Sequence, residues 1–237
     1  MAAITESALV ARVRQRADME ENYFVSDVEV QTYINAGLAE LHDLLIQTYG
    51  QDYYISNSTF TTTSGVDSYA ISSNIGADFY KLRGVDAKLN GSIWSTLIPF
   101  NFNERNLNQE GTLSNIWGLS NTRYRLVGEN LVFSPTPTSG IEIKIWYIPT
   151  TQQFNSSTPA SSSTTFDDIN GYAEYVIIDA AIKCLQKEES DVQVLFAQKT
   201  AMKRRIEEAA NNRDAGSPLS VSDVYRGNNS FWYSRST

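Results

Sequence analysis

Val30, Ile34, Leu38, Leu41 and Leu45 recur at spacings of three and four residues, which lines them along one face of a single α-helix. Immediately before them, Ser26-Asp27-Val28-Glu29 has the form of a capping box. In that motif the serine hydroxyl accepts from a first-turn N–H that has no partner within the helix, and the glutamate reaches back to the serine N–H. Phe24 or Val25 is placed to act as a hydrophobic staple, and Tyr49-Gly50 supplies the stop. A helix with one apolar stripe draws most of its stability from packing that stripe, so this segment demands partners from elsewhere in the chain.

Helical patterns at both ends of the chain provide candidates. Thr5, followed by Glu6 and Ser7, caps a first helix expected to run to about Met19, with Ala8, Leu9, Ala11 and Val13 favouring one side and Arg12, Arg14 and Arg16 elsewhere. Later, Phe166-Asp167-Asp168-Ile169 reads as the entry to a helix whose broad apolar face holds Tyr172, Tyr175, Val176, Ile178, Ala181 and Ile182. A polar corner at 187–191 leads to a last helix from about 192 to 211, and Asp214-Ala215-Gly216-Ser217-Pro218 ends it.

Between these helices the period changes to two. Residues from Tyr53 to Thr61 are rich in aromatic and β-branched types, and a turn at 64–67 precedes Tyr69-Ala70-Ile71. Asn90-Gly91 separates two strand-like runs, 85–89 and 93–97, and is a strong hairpin signal because a type I′ turn needs φ > 0 twice. A second hairpin pairs 124–127 with 131–133 across Gly128-Glu129-Asn130, and 141–147 alternates strictly up to Pro149. Residues 100–119 read as an Asn-rich surface loop with one helical turn near 103–107.

These patterns predict an α+β protein. Its N- and C-terminal helices, 1–50 and 166–215, pack as one antiparallel bundle domain, because neither pair can bury its apolar face alone. Residues 51–155 form an inserted antiparallel β module, 156–165 a Ser/Thr linker and 216–237 an extended C-terminal arm.

The chain's 237 residues are ample for a real core, and 41% of them are apolar. Net charge is −8, opposite to the basic footprint of a nucleic-acid binder. The one basic cluster, Lys203-Arg204-Arg205, continues into Glu207-Glu208 and reads as a solvated helix face. A single cysteine, Cys184, rules out an internal disulfide and is read as a buried small residue. The N-terminus has no signal-peptide pattern and no stretch is apolar enough to span a bilayer, so the expectation is a soluble protein made in a cytoplasm, with no membrane partner.

Chemistry-bearing patterns are sparse. The sole histidine, His42, lies mid-helix without a nucleophile motif, and one Cys with one His leaves no metal-ligand pair. The carboxylate pairs Glu20-Glu21, Asp167-Asp168, Glu188-Glu189 and Glu207-Glu208 are explained by solvation and helix-end electrostatics. No catalytic, cofactor or metal residue is assigned, and an enzyme is not expected.

Several of the same segments carry a likeness. Asp27-Val28-Glu29-Val30-Gln31-Thr32-Tyr33-Ile34-Asn35 and Leu41-His42-Asp43-Leu44-Leu45, with Asp52-Tyr53-Tyr54 before threonine-rich strands, resemble the start of the head-to-tail adaptor proteins of tailed bacteriophages. Phe79-Tyr80-Lys81-Leu82-Arg83-Gly84-Val85-Asp86 is similar to the family's first β-module strand. Tyr175-Val176-Ile177-Ile178-Asp179-Ala180-Ala181, Lys187-Glu188-Glu189 and Asn212-Arg213-Asp214-Ala215-Gly216-Ser217-Pro218 look like its closing helix pair and exit. The likeness is one of pattern and order over most of the chain, and it departs at 100–119 and in the aromatic C-terminus.

The resemblance implies a structural virion protein at the head–tail junction. Such adaptors form a ring, commonly of twelve subunits, under the portal protein. They meet tail tube, nozzle or fibre proteins below, and genome DNA passes through the lumen without specific binding. An acidic chain suits that passage, since a basic lumen would hold phosphates. Val224, Tyr225, Phe231, Trp232 and Tyr233 in the terminal arm are the expected contacts to portal or neighbour. Ordering a residue costs about 1–2 kcal/mol of backbone entropy, and burying a large side chain gains about 1.5–3 kcal/mol, so these aromatics repay their ordering only in a partner's pocket. Another neck or tail component (tail completion, nozzle, fibre attachment), a glycan-binding β module and a cell-wall hydrolase are the alternatives.

Overall fold

The computed structural model describes residues 2–20, 24–89, 93–105, 122–155, 160 and 164–210. It is an α+β protein with five α-helices and ten strands among these residues. The helices are α1 (Glu6–Arg16), α2 (Asp27–Tyr49), the short α3 (Ile71–Asn74), α4 (Ala173–Lys187) and α5 (Gln193–Ala210).

Helix α2 starts as its sequence dictates. Ser26 Oγ accepts from Glu29 N while the Ser26 N–H donates to Glu29, completing the capping box. Val25 is buried with Val30 in one core cluster and Phe24 is exposed, so Val25 occupies the staple position. Lys187 also bonds Glu29, and together with the Ser26 groups it lowers that carboxyl to about 2. Helix α1 is capped by Thr5, whose hydroxyl accepts from Ala8 N. It stops at Arg16, short of Met19, where Ala17 closes the last turn and Asp18 turns left-handed with φ 55°. Arg14 then secures the connection to α2 by donating to Asp27 Oδ1, at 2.6 Å from Nη2, and to the carbonyls of Val25 and Met19.

Helix α4 is the centre of the helical part. Buried residues run almost without break from Ala173 to Cys184, and α1, α2 and α5 each lie against it. Glu29 pairs with Lys187 near one end of α4, and Glu40 accepts from Tyr175 near the other, so α2 and α4 run antiparallel. They approach closely at Gly37, where a Cβ would lie 3.0 Å from Asp179 Oδ2 and 3.2 Å from Val176 Cγ1.

Around that approach a polar clasp joins three helices. Lys199 of α5 donates to Glu40 of α2 and to Asp179 of α4, both at 2.8 Å. Lys183 holds the other oxygen of Asp179 at 2.6 Å. Burial opposes the charge on Lys199, but its bonds to Asp179 and Glu40 carry its pKa above the usual lysine range. Burial and the Glu40 carboxylate likewise raise Tyr175 well above an ordinary phenol. Asp179 is only 5% exposed, and two ammonium groups answer its charge.

The entry to α4 differs from the sequence expectation. Residues 166–169 do not begin the helix. β10 (Thr165–Asp168) pairs antiparallel with β1 (Ala2–Thr5), and α4 starts at Ala173. Asn170 and Gly171 take left-handed φ values of 52° and 77°, which no helix propagates. Asp168 Oδ1 then accepts from Ala173 N and caps the helix across the turn. Of the Ser/Thr stretch, Thr165 lies in β10, Thr164 O accepts from Glu6 N, and Ala160 packs against the helical core.

The remaining strands form two four-stranded sheets. One has β2 (Ser56–Thr61), β9 (Glu142–Pro149), β4 (Phe79–Leu89) and β5 (Ile93–Thr96) in the order β2-β9-β4-β5, all antiparallel. The other has β3 (Ser68–Ala70), β8 (Asn130–Ser134), β7 (Arg123–Val127) and β6 (Ile98–Pro99) in the order β3-β8-β7-β6, with β6 parallel to β7. Val85, Ala87, Ile143 and Ile145 from the first share a second core with Tyr69, Leu131 and Phe133 from the second. Both expected hairpins are present: Leu89 pairs with Ile93 and Val127 with Asn130. The Asn90-Gly91 turn itself falls outside the described residues. Tyr53 and Tyr54 form a turn instead of a strand, because Gly50, at φ 89°, reverses the chain and their rings pack back on α2. In the expected Asn-rich loop, a 3₁₀ turn covers Phe102–Glu104, and 106–121 lie outside the described residues.

Two substitutions test this packing. Alanine favours a helix interior over glycine by about 1 kcal/mol, but Gly37→Ala is expected to lower stability. Asp179 is held by two lysines and cannot retreat from the new Cβ, and overpacking costs about 1–3 kcal/mol. A Gly37→Ala protein that melts above the parent overturns the reading. Lys199→Met removes two charge-assisted bonds and is expected to cost about 1.5–3 kcal/mol in urea unfolding; an unchanged midpoint would show that the clasp adds nothing.

Candidate assembly surfaces

The helical part and the β module meet through a small set of side chains that two irregularities in β4 aim at the helices. Along β4, the pairing with β9 passes from Phe79 to Lys81 and from Leu82 to Gly84, leaving Tyr80 and Arg83 as bulge residues. A bulge inserts an unpaired residue and redirects its side chain. Tyr80 donates to Asp43 of α2 at 3.1 Å, and Arg83 reaches Asp52 at 2.7 Å and Gln51 in the turn after α2. On the other side of the joint, Asn35 of α2 both donates to and accepts from the backbone of Phe154, each at 2.8 Å. Phe154 itself lies in the helical core, so the segment leaving β9 is anchored by side chain and backbone together.

His42 sits inside this joint. It is 8% exposed, stacked on Tyr54 at 4.7 Å between ring centres, and edge-on to Tyr80 at 6.1 Å. Burial lowers its pKa below 6.5, and Asp43 offsets this in part. Two cavities of about 150 and 180 Å³ flank the ring, both reached by Thr150 and Thr151. Neither has a serine, cysteine or lysine in its lining. Cys184 is buried, and burial raises its thiol to about 11, far from a reactive thiolate. Among the described residues no group of three His, Cys, Asp or Glu side chains is placed to hold a metal ion, and no helix is long and apolar enough to cross a membrane.

The surfaces with binding character lie elsewhere. On the outer face of the β2-β9-β4-β5 sheet, alternation brings up Trp146, Lys144 and Glu142 from β9, Asp86 and Lys88 from β4, and Trp94 from β5. Lys144 lies 4.1 Å from the Trp94 ring centre and 5.6 Å from that of Trp146, and Lys88 covers Trp94 at 5.5 Å. Trp146 Nε1 donates to Asp86 at 2.6 Å, and Lys88 pairs with Glu142 at 3.0 Å. The face is thus a pre-ordered ladder of two indoles, the Lys88–Glu142 ion pair, Asp86 bonded to Trp146 and Lys144 held over both rings, broad and amphipathic, of a kind common at protein interfaces. Nearby, Ile93 and Ile98 are 73% and 65% exposed, and Phe102 stacks with Arg105 and Arg125. On the helical part, Val194 and Phe196 of α5 and Phe24 and Val28 beside the start of α2 are the exposed apolar residues.

Reading the sequence alone did not single out this ladder, although strict alternation in 141–147 and the Lys88 to Trp94 hairpin would have placed its members on one face. The residues it did single out, Val224, Tyr225, Phe231, Trp232 and Tyr233, lie outside the described residues, as does the expected arm at 216–237. Lys203, Arg204 and Arg205 are exposed on α5, with Arg204 paired to Glu208.

A family model described as SU10 adaptor protein matches residues 4–222. No curated protein matches the chain. The matched span takes in every described element except part of β1, and it agrees with the likeness to head-to-tail adaptors seen in the sequence. The chain belongs to the SU10 adaptor family: it is a phage adaptor, a structural protein of tail assembly and of the virion.

Proposed function

We propose that this adaptor has no enzymatic activity and acts at the head–tail junction, where its copies form a ring, commonly of twelve, beneath the portal protein. The ring joins the capsid vertex to tail tube, nozzle or fibre proteins and lets genome DNA through without binding it. The observation that carries this reading is the family match along 219 residues, from 4 to 222.

The distribution of charge supports the passage of DNA. Residues 56–155 hold seven Lys and Arg against seven Asp and Glu, so the β module is neutral. Residues 1–55 and 156–210 hold nine basic against eighteen acidic side chains, and 211–237 three against two. The helical segments therefore carry all of the negative excess. Phosphate contacts supply most non-specific DNA affinity and need a local cation excess, which these helices lack. The terminal segment is the one part of the chain with a net positive balance and the densest run of aromatics, Phe231-Trp232-Tyr233. Trp and Tyr dominate interface energetics, and in this reading Val224, Tyr225, Phe231, Trp232 and Tyr233 dock on the portal or on a neighbouring subunit.

Light scattering of the purified chain, alone and with isolated portal rings, tests the assembly. The expected result is a defined ring on the portal with no measurable binding to duplex DNA at physiological salt; assembly of the chain alone into fibres or trimers overturns it. A chain ending at residue 218 is expected to melt with the parent yet to lose portal binding. If it melts far lower, or still binds the portal, the terminal segment is not the docking arm.

A further inference from the structure

We propose that the joint between the helical part and the β module is a pH-sensitive lock, in which neutral His42, packed against Tyr54 and Tyr80, holds the two together and its protonation loosens them. The inference is independent of what the adaptor binds.

The geometry of the joint carries the argument. His42 is the single histidine of the chain, and it lies where α2, the turn after it, β4 and the segment leaving β9 meet. Its own helix contributes Asp43, which accepts from Tyr80 of β4. The turn after α2 contributes Tyr54, stacked on the imidazole with an interplanar angle of 25°. The segment leaving β9 contributes Thr150, Thr151 and Gln152, and β10 contributes Phe166. Asp43, Tyr54 and Tyr80 are the titratable groups facing the ring, and no Lys or Arg lines either flanking cavity. The ring thus meets aromatic faces, neutral side chains and one carboxylate that Tyr80 already occupies.

A charge in such a place is disfavoured by burial, and Asp43 compensates only in part. The closed joint therefore holds the ring neutral below the pH at which a hydrated histidine would protonate. In an opened joint the ring regains water and an ordinary affinity for protons. The open form binds more protons in the window between the depressed value and about 6.5, so falling pH favours opening there and rising pH restores the closed form. Tyr80 and Arg83, which β4 presents through its bulges, and the Asn35–Phe154 bonds keep the two parts connected. Protonation therefore loosens the contact without releasing the module.

The full chain, isotope-labelled, reads this directly because one histidine gives one ring signal. Its titration midpoint is expected below 6.5, and amide exchange, corrected for intrinsic rates, is expected to quicken at 51–54, 79–83 and 150–153 as pH falls from 7.5 to 5.5. The change reaches at most about tenfold per pH unit within the window, and amides of β7 and β8 serve as an unaffected reference. His42→Phe keeps a ring against Tyr54 and removes the titration, so the acid response is expected to vanish; His42→Gln serves if the phenylalanine does not fold. A midpoint at or above 6.5, no quickening at the joint, or an equal acid response in a folded variant each overturn the proposal. If neither variant folds, the parent titration and exchange decide it.

Discussion

Helix α4 has almost no face turned to water. From Ala173 to Cys184 its side chains are buried on successive positions around the full turn, and a helix apolar all round must be covered on all sides. One neighbouring helix covers roughly a third of its circumference, so three are needed. α1 and α2 come from the beginning of the chain and α5 from the end. The burial of one helix thus brings distant segments together. The β1–β10 pair and the bond from Glu6 N to Thr164 O extend the same association to the backbone beside it.

With α2 and α4 packed together, the chain between them must leave the helices and return to them. The two crossing points are reinforced unequally. The outgoing one is a tight turn whose tyrosines fold back on α2; the returning one is a segment pinned by Asn35 to Phe154. Between them, the bulges of β4 provide side chains rather than ladder bonds to the contact. A joint made of side chains is easier to perturb than one made of backbone pairing, because each contact depends on a single group's charge or ring. The clasp of Glu40, Asp179, Lys183 and Lys199 contrasts with it. There every charge is answered by an opposite one within hydrogen-bond reach.

For an adaptor, this division has a plain mechanical sense. A neutral sheet face with ordered indoles offers area without long-range charge, while the helices hold the negative excess. Contacts of the first kind are decided by shape and burial; in the proposed role, charge of the second kind would act at a distance by keeping phosphate away. Both belong to one chain, but they reside in parts with separate hydrophobic cores.

Much of this was legible before any coordinates. The capping box at Ser26 and Glu29, the apolar stripe of α2, the two hairpins and the alternation of β9 are local rules, set by spacings of a few residues, and the chain obeys them. The family likeness was legible for the same reason, since it rests on the order of such segments. Other features are invisible to local rules. Phe166-Asp167-Asp168 has no helical or strand preference strong enough to decide its state, and β1 on the far side of the chain made it a strand. Gly37 looks like a defect in a helix until Asp179 is seen against it. Tyr80 and Arg83 alternate in sequence like any strand residues, and only the mismatch of β4 with β9 turned them toward α2. The sequence by itself determined the long helices, the two hairpins and their apolar faces, because those depend on neighbours along the chain. The tertiary structure alone decided the clasp, the joint and the surroundings of His42, because each depends on groups brought together from more than ten residues apart.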